Sequence, residues 1–198
     1  MKFLPVINAQ SGLALRKRPL VAVDLGFSGK KRTTGVAWAL PSESGAKKHQ
    51  FGEAVKAVAE KCHSLVEITL ILEAPLSAAF SASGNPRPRG GFECEPQSRW
   101  WSVGPGAATA LSALFFLRQL HSELKAANVT IHLVEGFVSG VDSGDHAKVA
   151  VALRDGFLGK RKCQWHSVTD EGNIVSALDW VECKSPKNPP IILQPLAA

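Results

Sequence analysis

The sequence predicts an α/β fold built on a mixed sheet: an antiparallel β-meander first, then parallel strands, with helices on both faces. Three observations predict it. The apolar run Leu20-Val21-Ala22-Val23 closes on Asp24, and a turn carrying Gly26 and Gly29 separates it from a second run at 33–40. That is the pattern of a hairpin with a long loop. After it, apolar runs at 66–73 and 129–135 alternate with helical spacing at 53–63 and 106–127. Such alternation is the signature of α/β crossovers. The run Thr69-Leu70-Ile71-Leu72 also ends on a carboxylate, Glu73.

Taken in order, residues 1–18 read as an N-terminal arm ending in the basic cluster Arg16-Lys17-Arg18. A domain over 19–184 follows, and the proline-rich residues 185–198 read as an extended tail. A weak third strand is expected near 49–51, after the turn-rich Pro41-Ser42-Glu43-Ser44-Gly45. Ala54, Val55, Val58, Ala59 and Cys62 recur at three- and four-residue spacing, so 53–63 is a helix. The run at 66–73 is almost continuously apolar, as in a strand buried on both faces. Residues 75–105, rich in Ser, Gly, Pro and Arg, read as one long loop of the kind that carries function or is disordered. Over 106–127 the stripe of Ala110, Leu114, Leu117 and Leu124 is widened by Leu111, Phe115 and Leu120, so this helix is expected to be mostly covered. A strand at 129–135 ends on Glu135. A short helix over 145–154, a strand at 163–168 and a final helix over 170–182 complete the order.

At 198 residues one domain with a sizeable core is expected. A net charge of +6 suits a polyanion such as nucleic acid, or simply a basic surface. Cys62, Cys94, Cys163 and Cys183 are scattered, with no Cys-x-x-Cys pair and no histidine at zinc spacing. Neither a structural zinc nor a disulfide framework is indicated, and reduced thiols in a cytoplasmic protein are expected. The N-terminus is a poor signal peptide, and no run of about 18 apolar residues marks a membrane span.

Two strand-end carboxylates can meet around a hard cation such as Mg²⁺, which prefers oxygen ligands. Here the residues carry a resemblance. Val21-Ala22-Val23-Asp24-Leu25-Gly26 followed by Thr34-Gly35-Val36-Ala37-Trp38 resembles the opening hairpin of ribonuclease-H-fold proteins. Ile71-Leu72-Glu73-Ala74-Pro75 resembles their fourth strand with its acidic end. The segment 170–179 resembles the last helix of Holliday-junction resolvases and of a related group of predicted nucleases, and Val134-Glu135-Gly136-Phe137 with Asp145-His146-Ala147-Lys148 is similar to that group too. The resemblance implies a ribonuclease-H-like fold and hydrolysis of phosphodiester bonds with Mg²⁺ or Mn²⁺. Asp24 would bridge two ions, Glu73 would hold one, and an acid on the last helix would complete the set. A homodimer, as in resolvases, is an open alternative to a monomer.

The sequence departs from that pattern on its last helix, where paired acids three apart read Asp170 and Asn173. Either Asp170 or Glu171 takes the third position, or the site is weakened; Asp145 is a further candidate. Each acid also has a plain reading. Asp24 could start a turn, and Glu73 and Glu135 could be ordinary strand-end carboxylates. Asp170 and Asp145 are good helix N-caps, and Asp179 sits deeper in the helix as a structural or solvated residue.

Arginine grips phosphate by paired hydrogen bonds. Arg87, Arg89 and Arg99 in the long loop, and Lys30, Lys31 and Arg32 at the hairpin turn, are the candidate nucleic-acid contacts. Trp100 and Trp101 could stack on bases but are favoured as pins for the loop. The six histidines form no metal pattern, and His146 beside Asp145 is a proton-transfer candidate or an ordinary surface residue. Competing readings are an inactive nucleic-acid-binding protein on the same fold, favoured by Asn173, and a structural subunit. The run 24–30 also resembles the first phosphate loop of actin-like ATPases and sugar kinases, but their second phosphate and adenosine motifs are missing.

Overall fold

A computed structural model describes residues 1–26, 28, 30–93, 105–138, 141, 144–168, 173–177 and 192–195. Its centre is the hairpin of β2 (Leu20–Asp24) and β3 (Thr34–Ala39), extended by β4 (Ser44–His49). After α2 (Phe51–Cys62) come β5 (Glu67–Glu73), α3 (Pro105–Glu123), β8 (Thr130–Gly136) and α4 (His146–Phe157). The sheet runs β4-β3-β2-β5-β8, with the first two pairings antiparallel and the next two parallel. Every residue of β2 is buried, which is why it reads as an unbroken apolar run rather than an alternating one. β4 is an edge strand with exposed Lys47 and Lys48, charges that discourage pairing with another chain.

Helices cover both faces. Under α2 and α3, Val21, Val23, Leu70 and Leu72 pack with Val55, Phe116, Leu117 and Leu120. On the other side Leu20, Ala22, Ile71 and Val134 meet Leu153 and Phe157 of α4. Adjacent residues of one strand thus feed opposite cores, as the two-residue period of a strand requires.

Several expectations are corrected. Residues 1–18 are not a free arm. β1 (Lys2–Pro5) pairs parallel with the first half of β8, and Phe3 and Val6 are buried. A short helix α1 (Ala9–Ala14), capped by Asn8, then leads back to β2. The third strand spans 44–49, earlier than expected, because Gln50 and Glu53 form a capping box that starts α2 at Phe51. The segment 75–105 is not one loop. It contains β6 (Ser77–Phe80), β7 (Pro86–Arg87) and a 3-10 turn at Gly91–Glu93.

The expected final helix over 170–182 fails where it is described. Asn173–Ser176 is a strand, β10, antiparallel to β6 in a small second sheet β10-β6-β7. β-branched Ile174 and Val175 suit a strand, and β6 offers them a free edge. β9 (Cys163–His166) and β11 (Ile192–Pro195) pair antiparallel, and β11 joins the last residues of β8. The tail therefore contributes to the main sheet. On α3, Leu111 and Phe115 stay exposed, against expectation. The stripe that faces the sheet is Ala113, Phe116, Leu117, Leu120 and Leu124.

Candidate carboxylate site

β2 and β5 are parallel and in register, and the register puts Asp24 directly beside Glu73. Both lie at the strand ends where the chain leaves the core, as the apolar runs behind them predict. The structure thus brings together the first two expected site residues. Neither has a lysine or arginine partner among the described residues. Instead the two carboxyls hydrogen-bond each other. Burial pushes Asp24 up to about 7, with the bond from Glu73 acting the other way. Burial and then the charge of Asp24 push Glu73 up to about 8, against the Val138 N–H and His146. Glu73 Oε1 also accepts the Val138 N–H at 3.1 Å, which ties the chain leaving β8 to the end of β5.

The third member is His146, the first residue of α4, whose Nδ1 lies 2.7 Å from Asp24 Oδ2. Its delivery depends on a glycine. Gly35 stands opposite Asp24 on β3, and a Cβ there would overlap the His146 carbonyl and the Ala147 nitrogen. Only a glycine lets the start of α4 settle this close to the strand.

Asp145 is adjacent in sequence but serves differently. Its carboxylate sits 3.5 Å from Lys48 Nζ and 3.8 Å from Lys148 Nζ. Burial acts upward on it, but Lys48 and Lys148 outweigh that and hold it below the usual carboxylate range. It makes no side-chain cap for α4 despite its N-cap position. Lys48 lies opposite Gly35 in the next strand, and its ammonium group goes to Asp145. Asp170, Glu171, Asp179, Arg99, Trp100 and Trp101 lie outside the described residues.

Arg89 is the clearest correction. Expected to grip phosphate from a mobile loop, it is fully buried. Its Nη1 donates to Glu135 Oε2 at 2.7 Å and its Nε to Glu93 Oε1 at 3.0 Å, while Nη1 also reaches Ser77. Glu135 in turn accepts the Leu76 N–H at 2.7 Å. Glu135 is thus a structural clamp beside the site, not a ligand in it. A buried arginine needs such partners, and two carboxylates supply them. Arg87 and the hairpin residues Lys30, Lys31 and Arg32 are exposed, with Arg32 3.7 Å from Glu53.

Lys48 and Lys148 are neighbours that sequence reasoning does not assign, and His146, a proton-transfer candidate or surface residue from sequence, is placed on Asp24 rather than beside Asp145 alone. The signal for them was a glycine inside a strand, Gly35, which marks close backbone approach. Among the described residues no group of three or more His, Cys, Asp or Glu side chains is arranged to hold a metal ion. None of their helices is long and apolar enough to cross a membrane. No family model, curated protein or solved structure gives a significant match to this chain.

Proposed function

We propose that this protein is a Mg²⁺- or Mn²⁺-dependent nuclease that hydrolyses phosphodiester bonds, on a ribonuclease-H-like fold. The observation that carries the reading is the in-register pair of buried Asp24 and half-buried Glu73, with no lysine or arginine partner among the described residues. Two carboxyls held near neutrality by burial and mutual repulsion gain most from a divalent cation. At the level of fold, the support is an antiparallel meander continued by two parallel strands.

The donor set fits a hard cation. Mg²⁺ keeps several waters and takes one or two protein carboxylates together with substrate phosphate. Asp24 and Glu73 would be those carboxylates. Bound there, the ion would supply charge for the phosphodiester oxygens and a more acidic water. His146 orients Asp24 through Nδ1. Lys48 and Lys148, exposed beside Asp145, favour approach of a phosphate backbone.

The test is calorimetric titration of Mg²⁺ and Mn²⁺ into wild type and Asp24→Asn, in two buffers of different ionisation enthalpy. Wild type is expected to bind, to release a proton near pH 7, and to lose both properties in the variant. Cleavage of duplex, branched and single-stranded substrates should follow the same dependence. No binding, with nucleic acid absent and then present, would sink the nuclease reading. It would leave the second reading, a nucleic-acid-binding protein without catalysis, which the salt-bridged state of Asp145 favours.

A further inference from the structure

The ladder between β5 and β8 ends at the pair Leu72 and Glu135. Past it, side chains tie the two exits together. Glu73, the last residue of β5, accepts the Val138 N–H beyond the end of β8 at 3.1 Å. Glu135, on β8, accepts the Leu76 N–H beyond the end of β5 at 2.7 Å. Each strand thus lends a carboxylate to the backbone that leaves the other. The two bonds lie on opposite faces of the sheet. Glu73 shares a face with Ile71, against α4, and Glu135 shares one with Leu133, against α2 and α3.

A strand-end carboxylate is ordinarily solvated. Glu135 is fully buried, and Arg89 Nη1 and Nη2 each lie 2.7 Å from one of its oxygens. The guanidinium is itself held. Its Nε donates to Glu93 Oε1 at 3.0 Å, and Nη1 donates to the Ser77 hydroxyl at 3.0 Å and the Ser77 carbonyl at 3.2 Å. A two-pronged pairing of this kind leaves the carboxylate one orientation, with Oε2 on the Leu76 N–H. The Leu76 carbonyl in turn accepts the Ala177 N–H at 2.7 Å. Both polar groups of the Leu76 backbone are therefore fixed, three residues after Glu73.

We propose that Glu135 is a positioning residue for Glu73. By gripping Leu76 it sets the direction in which β5 leaves the sheet, and with it the place of the Glu73 carboxyl beside Asp24. The inference rests on the proposed function in taking Glu73 as a ligand for Mg²⁺ or Mn²⁺. Partners that orient a metal-binding side chain are worth about 10- to 100-fold in metal affinity. A purely ionic role would be met by any carboxylate beside Arg89, whereas the Leu76 N–H needs an acceptor at the reach of a glutamate.

Two variants separate reach from charge. Glu135→Asp keeps the anion for Arg89 but withdraws its oxygens from the Leu76 N–H by about 1.5 Å, the length of a C–C bond. Glu135→Gln keeps the reach and a carbonyl acceptor, and leaves Arg89 paired with Glu93. Val58→Ala, in the core under α2, is the control for general loosening. Mn²⁺ affinity is read by electron paramagnetic resonance. The place of Glu73 without metal is read from the Val138 amide signal in ¹⁵N NMR. Both are measured where circular dichroism shows the proteins folded. Glu135→Asp is expected to bind Mn²⁺ at least about tenfold more weakly than wild type and to move the Val138 signal, while Glu135→Gln and Val58→Ala stay within about threefold and leave it in place. Wild-type affinity with an unmoved Val138 signal in Glu135→Asp, a loss in Glu135→Gln as large as in Glu135→Asp, or an equal loss in Val58→Ala would each overturn the proposal. If Glu135→Asp does not fold, Glu135→Gln still decides, because loss of its Mn²⁺ affinity overturns the proposal. Wild type that binds no Mn²⁺ rejects the nuclease reading alone, and the Val138 signal then still tests the positioning.

Discussion

At the carboxylate pair the quantity that matters is the proton shared by Asp24 and Glu73. Their folded values of about 7 and 8 lie above the ordinary 3.8 and 4.5. The folded protein therefore binds more protons than the unfolded chain across that window. The stability this contributes is fully present below the ordinary values and is lost as pH rises through 7 and 8. Metal-free protein should unfold at lower urea near about pH 8.5 than near about pH 5, by a few kcal/mol on the order of magnitude. Glu73→Gln should flatten that dependence, and saturating Mn²⁺ should flatten it in wild type. Coincident pH profiles for wild type and Glu73→Gln would show that burial does not hold the proton. Gly35 makes a sharper residue-level case. Gly35→Ala should push the start of α4 off β3 and separate His146 from Asp24. The imidazole proton signals of His146 in NMR would lose the coupling to Asp24, and metal affinity should fall. Asp24 and Glu73 were legible because each closes an apolar run. The contact of His146 with Asp24 was not, because it depends on a glycine on a strand far earlier in the chain.

Among elements, the small sheet β10-β6-β7 shows how tertiary partners override a local pattern. The sequence predicts a helix through residues 173–176, yet they pair with β6 from Asn173↔Phe80 to Ser176↔Ser77. The helix that approaches the carboxylates among the described residues is α4, which begins at His146. The segment 75–105 was misread for a related reason. Its Ser, Gly, Pro and Arg content describes a solvated loop, but Arg89 is drawn inward by Glu93 and Glu135, a pairing that no local window reveals. This ion cluster bridges the two sheets, since Arg89 follows β7 and Glu135 belongs to β8. Arg89→Met should leave two carboxylates buried without a cation and cost about 3–5 kcal/mol, measured by urea unfolding. Lys56→Met, on the exposed face of α2, should cost less than about 0.5 kcal/mol. Equal costs would mean that the buried pairing contributes nothing beyond the solvated charge.

At the scale of the whole molecule, the order meander, helix, strand, helix, strand, helix was legible because hydrophobic period survives in each long element. What was lost lay at the ends of the chain, where short segments carry too little pattern to announce their partners. The first residues illustrate it. Their sequence mixes apolar and polar side chains over too few positions to show a strand, but β8 leaves its outer edge open. β1 fills the first half of that edge and β11 the last residues. The closure buries Phe3 completely against the core that contains Ile131 and Leu133. If the N-terminal segment were an appended arm, removing the Phe3 ring would barely change stability. As a strand of the main sheet, Phe3→Ala should cost about 3–5 kcal/mol. The loss should also reach the carboxylate site, because β8 holds Glu73 through the Val138 N–H at its far end. Hydrogen exchange on the variant should then show faster exchange both at β1 and at Val138. Faster exchange confined to residues 1–6 would instead mean that the outer edge of β8 is mechanically separate from the site.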